Sequence, residues 1–210
     1  MKVLLVNGSP REKGCTYTAL CEVAGALEEA GMETEIFWIG SKPIQQCTAC
    51  HRCTELGRCV FDDVVNRFLL LAEKADGFVY GAPVHFAGAA GGMVNFMGRL
   101  YYSATRQGAG PFRLKPAASI SSARRAGTTV TLDQMNRYFL YAEEPVVGSC
   151  YWNQVHGDTP DQVRKDLEGL QTMRVLGRNM AWLLRAIDRA KEEGLALPEK
   201  EQKIWTNFIR

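Results

Sequence analysis

The sequence contains no long hydrophobic run. No apolar stretch approaches the ~20 residues that a membrane-spanning helix needs, so no membrane partner is expected. It has no charge excess either: 25 Lys and Arg stand against 23 Asp and Glu, a formal net charge of +2. That balance argues against a nucleic-acid partner and against a membrane-surface protein. No secretory leader is read at the N-terminus, where the apolar Val3 to Val6 is short and a charged loop containing Gly and Pro follows at once. A cytoplasmic location is expected, and thiols stay reduced there. The seven cysteines, an odd number, then need a role other than disulfides. The common nucleotide loops are missing too. A P-loop places Lys and Ser/Thr directly after its second Gly, whereas here Lys13 precedes Gly14, and no G-x-G-x-x-G follows the first apolar run. No paired carboxylates and no Ser/His/Asp set stand out for acid–base or nucleophilic work.

What is present reads as one globular domain. The chain has 210 residues, 46% hydrophobic and 23% charged, ordinary values for a soluble fold with a real core. Val3-Leu4-Leu5-Val6 is a continuous apolar run and predicts a strand buried on both faces. Asn7-Gly8-Ser9-Pro10 stops it, and from Thr16 the apolar spacing turns helical through Leu20, Val23, Ala24 and Leu27. A buried strand therefore runs through a hydroxyl-rich loop into a helix start. Backbone N–H groups and a partial positive charge point into such a loop, so an anion is the expected guest. Arg11 and the hydroxyls of Thr16, Tyr17 and Thr18 suit a phosphate monoester; ordinary helix capping by Ser and Thr is the competing reading.

Further strands are predicted at 33–39, 78–82, 116–120 and 145–152. Helices are predicted between them, the last running from Pro160 to Lys191. Residues 193–210 form a tail, with Trp205 and Phe208 expected to pack on the body or on a neighbouring subunit. Five strands alternating with helices predict a parallel sheet covered on both faces. Ligands of such sheets bind beyond the carboxyl ends of the strands. Three loops rich in small and polar residues, 8–18, 82–88 and 121–127, fall at that edge. The face of Met93, Phe96, Met97, Leu100 and Tyr101 suits either core or, with Tyr102, a subunit interface. Cys21 is expected in the core and Cys150 in the last strand.

Together these motifs resemble the flavodoxin-like NADPH-dependent FMN reductase family and, within it, the archaeal-type iron–sulfur flavoproteins. The resemblance is carried by Gly8-Ser9-Pro10-Arg11, by Cys47-x2-Cys50-x2-Cys53-x5-Cys59 before Asp62-Asp63, and by Ala75-Asp76-Gly77 leading to Ala82-Pro83-Val84-His85. It covers most of the chain. It implies an α/β fold, a doubly wound five-stranded parallel sheet in the order 2-1-3-4-5, over residues 1–192. It implies FMN, with the phosphate held by Ser9, Arg11, Thr16, Tyr17 and Thr18, and with Cys15 where the family commonly has Asn. Pro83, Val84, His85 and Phe86 would line the isoalloxazine ring, His85 replacing a common Tyr. Ser121, Ser122, Arg125 and Gly127 would form the third flavin-side loop. His85 is the one histidine in a site loop: a hydrogen-bond donor to flavin or substrate, or a plain wall residue.

Four thiolates at the spacing of Cys47, Cys50, Cys53 and Cys59 can wrap one metal centre. A ferredoxin run sends its fourth Cys after three residues and follows it with Pro; here the gap is five and Val60 follows. The resemblance implies a [4Fe–4S] cluster. Zinc, with His51 adjacent, and metal-free thiols are the other readings. The expected function is an FMN-dependent oxidoreductase or electron-transfer flavoprotein, similar to NAD(P)H:flavin or quinone reductases. It would serve a small-molecule electron donor and acceptor as a homodimer or homotetramer in which a neighbour covers the flavin. The alternatives are a non-enzymatic flavodoxin-like carrier, a group that is typically strongly acidic, and a zinc-stabilised nucleotide-binding module. Two other users of this fold fail on residues: a response regulator needs an acidic pocket where only Asn7 stands, and a low-molecular-weight phosphatase needs Cys-x5-Arg, which Cys15 does not begin.

Overall fold

A computed structural model describes residues 1–106, 110–204, 206 and 208. The first strand, β1 (Lys2–Asn7), pairs in parallel with β2 (Glu33–Trp38) on one side and β3 (Gly77–His85) on the other. β5 (Ala117–Ala123) pairs in parallel with β3, and β6 (Gln154–His156) with β5. The order of the parallel strands is β2-β1-β3-β5-β6, the expected 2-1-3-4-5 once the two-residue β4 (Gly88–Ala89) is set aside. β4 folds antiparallel onto Val84 and His85, a hairpin that the sequence did not announce.

Helices α1 (Cys15–Glu29) and α7 (Leu167–Glu192) cover one face; α3 (Val64–Ala72), α4 (Gly91–Ala104) and α5 (Thr128–Tyr141) cover the other. The first layer is aliphatic: Leu20, Val23 and Leu27 meet Met173, Leu176 and Met180 over Val3, Leu5 and Val79. The second is aromatic. Phe68, Phe78, Tyr80, Phe96, Phe112 and Phe139 are fully buried, with ring centroids 5.1–6.3 Å apart in mostly tilted or edge-on pairs. Met93, Phe96, Met97, Leu100 and Tyr101 belong to this core, so these five are not a subunit interface. No helix among the described residues is long and apolar enough to cross a membrane.

Three expectations are corrected. Residues 145–152 are not a strand. Only Val146 bridges, to Ala117, because side chains displace the ladder: Ser149 Oγ donates 2.8 Å to Tyr151 O, and Asn153 Nδ2 donates 3.1 Å to Ser119 O. The fifth parallel strand lies just beyond, at β6. The helix expected over 160–191 is broken into α6 (Pro160–Val163) and α7. Asp166 stops the run by capping α7 through Gly169 N–H at 3.0 Å while accepting His156 N–H at 2.6 Å. Cys21, expected in the core, is exposed, and Cys150, expected in the last strand, lies outside the strands. In the tail, Arg113 Nη2 donates 3.0 Å to Pro198 O and Lys203 lies over the Tyr141 ring, whereas Phe208 is 90% exposed and Trp205 lies outside the described residues.

One buried acid lies in the irregular segment that follows α5. Glu144 is 4% exposed, and neither carboxyl oxygen has a hydrogen-bond partner among the described residues. Burial pushes its carboxyl up to about 9, against the pull of the nearby Tyr101 hydroxyl and Lys115. The folded chain therefore keeps a proton there that the unfolded chain releases above its ordinary value of 4.5. Stability should fall as pH rises between those two values. Replacing Glu144 by Gln should flatten that slope and stabilise the fold at pH 8 by about 1 kcal/mol or more; thermal melts of both proteins from pH 5 to pH 9 measure it.

Candidate functional site

The loop after β1 is built by its own side chains. Asn7 is fully buried; its Oδ1 accepts from Ser9 N–H at 3.1 Å and its Nδ2 donates to Glu12 O at 2.8 Å. Ser9 Oγ accepts Arg11 N–H at 3.1 Å. Trp38, at the end of β2, donates its indole N–H to Ser9 O at 2.8 Å. Gly8 lies flat across β3: its N–H donates to Gly81 O at 2.8 Å, and a Cβ there would stand 2.7 Å from Met93 Sδ and 2.9 Å from Gly81 O. The loop thus runs tight against the sheet and then opens α1 at Gly14. No side chain caps α1 and no acid stands in its first turn, so its free amides and positive end face the loop interior.

A cavity of about 400 Å³ lies in front of that helix end. Ser9, Pro10, Arg11, Cys15 and Thr16 wall it from the first loop; Pro83, Val84 and His85 from the end of β3; Ser122, Ala123 and Arg124 from the end of β5; and Gly157 and Asp158 from beyond β6. Two of its walls are stitched together where Thr16 Oγ1 and Ser122 Oγ share a hydrogen bond of 2.8 Å. Arg11 and Arg124 bring two cations against the single carboxylate of Asp158. Cys15 Sγ donates to Gly157 O at 3.6 Å, and burial pushes this thiol up, with Arg11 pulling it back. Gly127, at φ +90°, starts α5 against β3; a Cβ there would fall 2.7 Å from Val84 Cγ1.

Several expected residues stand elsewhere. Thr18 Oγ1 donates back to Gly14 O at 3.2 Å, and Tyr17 sits beside Cys21, which pushes its phenol up; neither side chain lines the cavity. Phe86 points away, wholly exposed at φ +62°, at the tip of the hairpin. β5 runs on to Ala123, so Ser121 is a strand residue; it and Gly127 stay behind the wall, and Arg124 rather than Arg125 lines the cavity. Arg124, Gly157 and Asp158 also line the cavity and carry no sequence signal, because their placement depends on where β5 and β6 end. His85 separates this cavity from a second one of about 250 Å³, which Lys42, Asn95 and the 39–44 segment enclose.

Cys47, Cys50, Cys53 and Cys59 face one small cavity of about 20 Å³. The one-turn helix α2 (Cys53–Leu56) and the left-handed residues Ala49 and His51 bend the loop round it. Cys47 and Cys50 are exposed and Cys53 is buried, its thiol pushed up by that burial. Among the described residues, no group of three or more Cys, His, Asp or Glu is drawn together closely enough to hold a metal ion. The donor chemistry nevertheless fits an anionic centre on thiolates, since Arg99 Nε donates to Cys59 Sγ at 3.3 Å. His51 Nδ1 lies 3.2 Å from both Tyr102 Oη and Arg106 Nη2; against the arginine it can only accept.

A family model described as NADPH-dependent FMN reductase matches residues 1–158. An iron–sulfur flavoprotein of Methanocaldococcus jannaschii is 31% identical over 198 residues, which cover 90% of this chain and 100% of that protein. One from Archaeoglobus fulgidus is 26% identical over 198 residues, covering 87% and 97%. Among solved structures, a flavone reductase superimposes at a TM-score of 0.65 with 19% identity, over 90% of this chain and 65% of that one. FerB, a flavoenzyme NAD(P)H:(acceptor) oxidoreductase from Paracoccus denitrificans, superimposes at 0.62 with 17% identity, over 88% and 97%.

The Gly8 contacts make a direct test. A Gly8→Ala substitution should push the first loop off β3 and destabilise the fold by about 1–3 kcal/mol. Binding of the loop's ligand should fall with it, read by calorimetry on the folded fraction. An alanine protein with unchanged melting and binding would show that the close approach is not needed.

Proposed function

Because the chain belongs to the NADPH-dependent FMN reductase family and is an FMN-dependent oxidoreductase, we propose that its cavity before α1 seats the FMN phosphate, that NAD(P)H supplies the electrons, and that the four-cysteine loop carries a [4Fe–4S] cluster. One observation supports the phosphate assignment above the others: the uncapped start of α1 faces the same cavity as Arg11 and Arg124. A phosphate dianion there gains amide donors, a helix dipole and two guanidinium groups at once.

Bound FMN supplies hydride and single-electron chemistry. The protein's part is position. Ser9 and Thr16, with the first-turn amides, hold the phosphate end. Pro83, Val84 and His85 form a wall for the ring, and the hairpin that β4 closes behind them keeps that wall in place. His85 Nδ1 or Nε2 can donate a hydrogen bond to a flavin or substrate carbonyl from this wall. Electron donor and acceptor would meet the ring from the solvent side of the hairpin. The relatives' names support the cluster, as do the shared cavity of the four thiols and the cation bonded to one of them.

The phosphate assignment separates FMN from riboflavin. Arg11→Ala and Arg124→Ala should each weaken FMN binding about tenfold, the loss of one charge-assisted contact. Riboflavin, without the phosphate, should bind all three proteins alike. Equal losses for both ligands would refute the placement. Protein purified without oxygen should also contain iron and sulfide and should reduce free flavin or a quinone with NADH or NADPH; flavin without iron would remove the cluster, and absent turnover would favour a carrier.

A further inference from the structure

Arg99 is the one buried cation on the wall of the four-cysteine cavity among the described residues. It stands on α4 with its side chain 0% exposed, on a helix whose neighbouring positions, Phe96, Met97 and Leu100, are core. Every guanidinium nitrogen is used. Nε donates to Cys59 Sγ at 3.3 Å; Nη1 donates to Asp63 Oδ2 at 2.6 Å and to Gln45 O at 3.3 Å; Nη2 donates to Asp63 Oδ1 at 3.0 Å and to Phe61 O at 3.2 Å. The group also lies 5.0 Å from the centroid of the Phe61 ring. Asp63 is held in turn as the cap of α3, accepting Val65 N–H at 3.0 Å.

These contacts do two things. They tie the chain before Cys47 to the chain after Cys59, so both ends of the cysteine loop are fixed on α4 whether or not a metal is bound. They also place a desolvated positive charge directly against one sulfur, while the counter-charge, Asp63, is 34% exposed and lies on the other side of the guanidinium. A cluster held by four thiolates is a net anion, and one added electron makes it more negative. A cation donating to a ligand sulfur favours that reduced form, and hydrogen bonds to sulfur and net local charge are the protein's levers on such potentials. A lysine could not make the same contacts, because the fork needs a planar group with donors on three nitrogens.

We infer that Arg99 is a positioning residue for the metal centre: it pre-forms the cysteine loop and raises the reduction potential of a cluster bound there, with Asp63 opposing it. This rests on the iron–sulfur reading above. Buried ion pairs are costly to keep without good geometry, and the bidentate pair placed one bond from a thiol gives this one a reason beyond stability.

The test uses the anaerobically prepared full chain carrying both flavin and cluster, titrated potentiometrically and followed by electron paramagnetic resonance. Arg99→Gln should shift the cluster midpoint to more negative values. Asp63→Asn, which keeps the helix cap, should shift it to more positive values. The double variant should return close to wild type, and the flavin midpoint should stay unchanged in all three. Shifts of opposite sign cannot come from a merely loosened loop. A loaded cluster whose midpoint stays put, or moves the same way in both single variants, overturns the role of Arg99. Iron and sulfide analysis of the wild type separates that failure from the other: a protein without iron sinks the iron–sulfur reading and this inference with it. In metal-free protein, Arg99→Gln should open residues 45–63 to protease, and an equally resistant loop counts against pre-formation.

Discussion

A helix that begins without a capping side chain leaves its first amides unsatisfied, and α1 begins this way at the end of the loop that follows β1. The rest of the upper rim depends on that unmet demand. The loop before the helix spends its own polar side chains on itself: Asn7 on Ser9 and Glu12, and Ser9 on Arg11. None turns back to satisfy α1. Trp38 fixes the loop from β2 and Gly8 lets it lie against β3, so the donors cannot relax inward to find partners. On the proposed reading an anion from outside meets that demand, and FMN has one at the end of its ribityl chain.

The sheet was legible because its central strands are buried on both faces. Val3 to Val6 and the run after Gly77 have no polar residue to spend on solvent, and only a parallel sheet between helix layers uses such runs. The edge was illegible for the opposite reason. The apolar residues of 145–152 imitate a strand, yet Ser149 and Asn153 take the ladder's hydrogen bonds with side chains. The true β6 is three residues long with one apolar member, Val155. Asp166 cuts the last helix although the apolar spacing runs through it, since one carboxylate meets two backbone amides there.

The candidate site was legible where it depends on strand ends set by the core, and shifted where it depends on the edge. Ser9 and Arg11 in the loop after β1, Thr16 in the first turn of α1, and Pro83 and His85 at the end of β3 all stand at the cavity. Arg125 and Ser121 do not, because β5 carries on beyond Ile120, which puts Ser121 in the strand and brings Arg124 to the wall. Arg99 gave no signal at all. It sits among the apolar positions of α4, where spacing predicts core, and only the fold shows Asp63, Phe61 and Cys59 gathered round it.

The brevity of β6 has a consequence of its own. A parallel sheet has two open sides, each a template on which foreign strands could grow. On one side only three residues offer a ladder, ended by Gly157 at φ +156°. On the other, β2 carries Glu33 and Glu35, both engaged by Lys2 of β1. A chain that opens a cavity and a thiol loop at its surface thereby keeps its strands from polymerising with those of its neighbours.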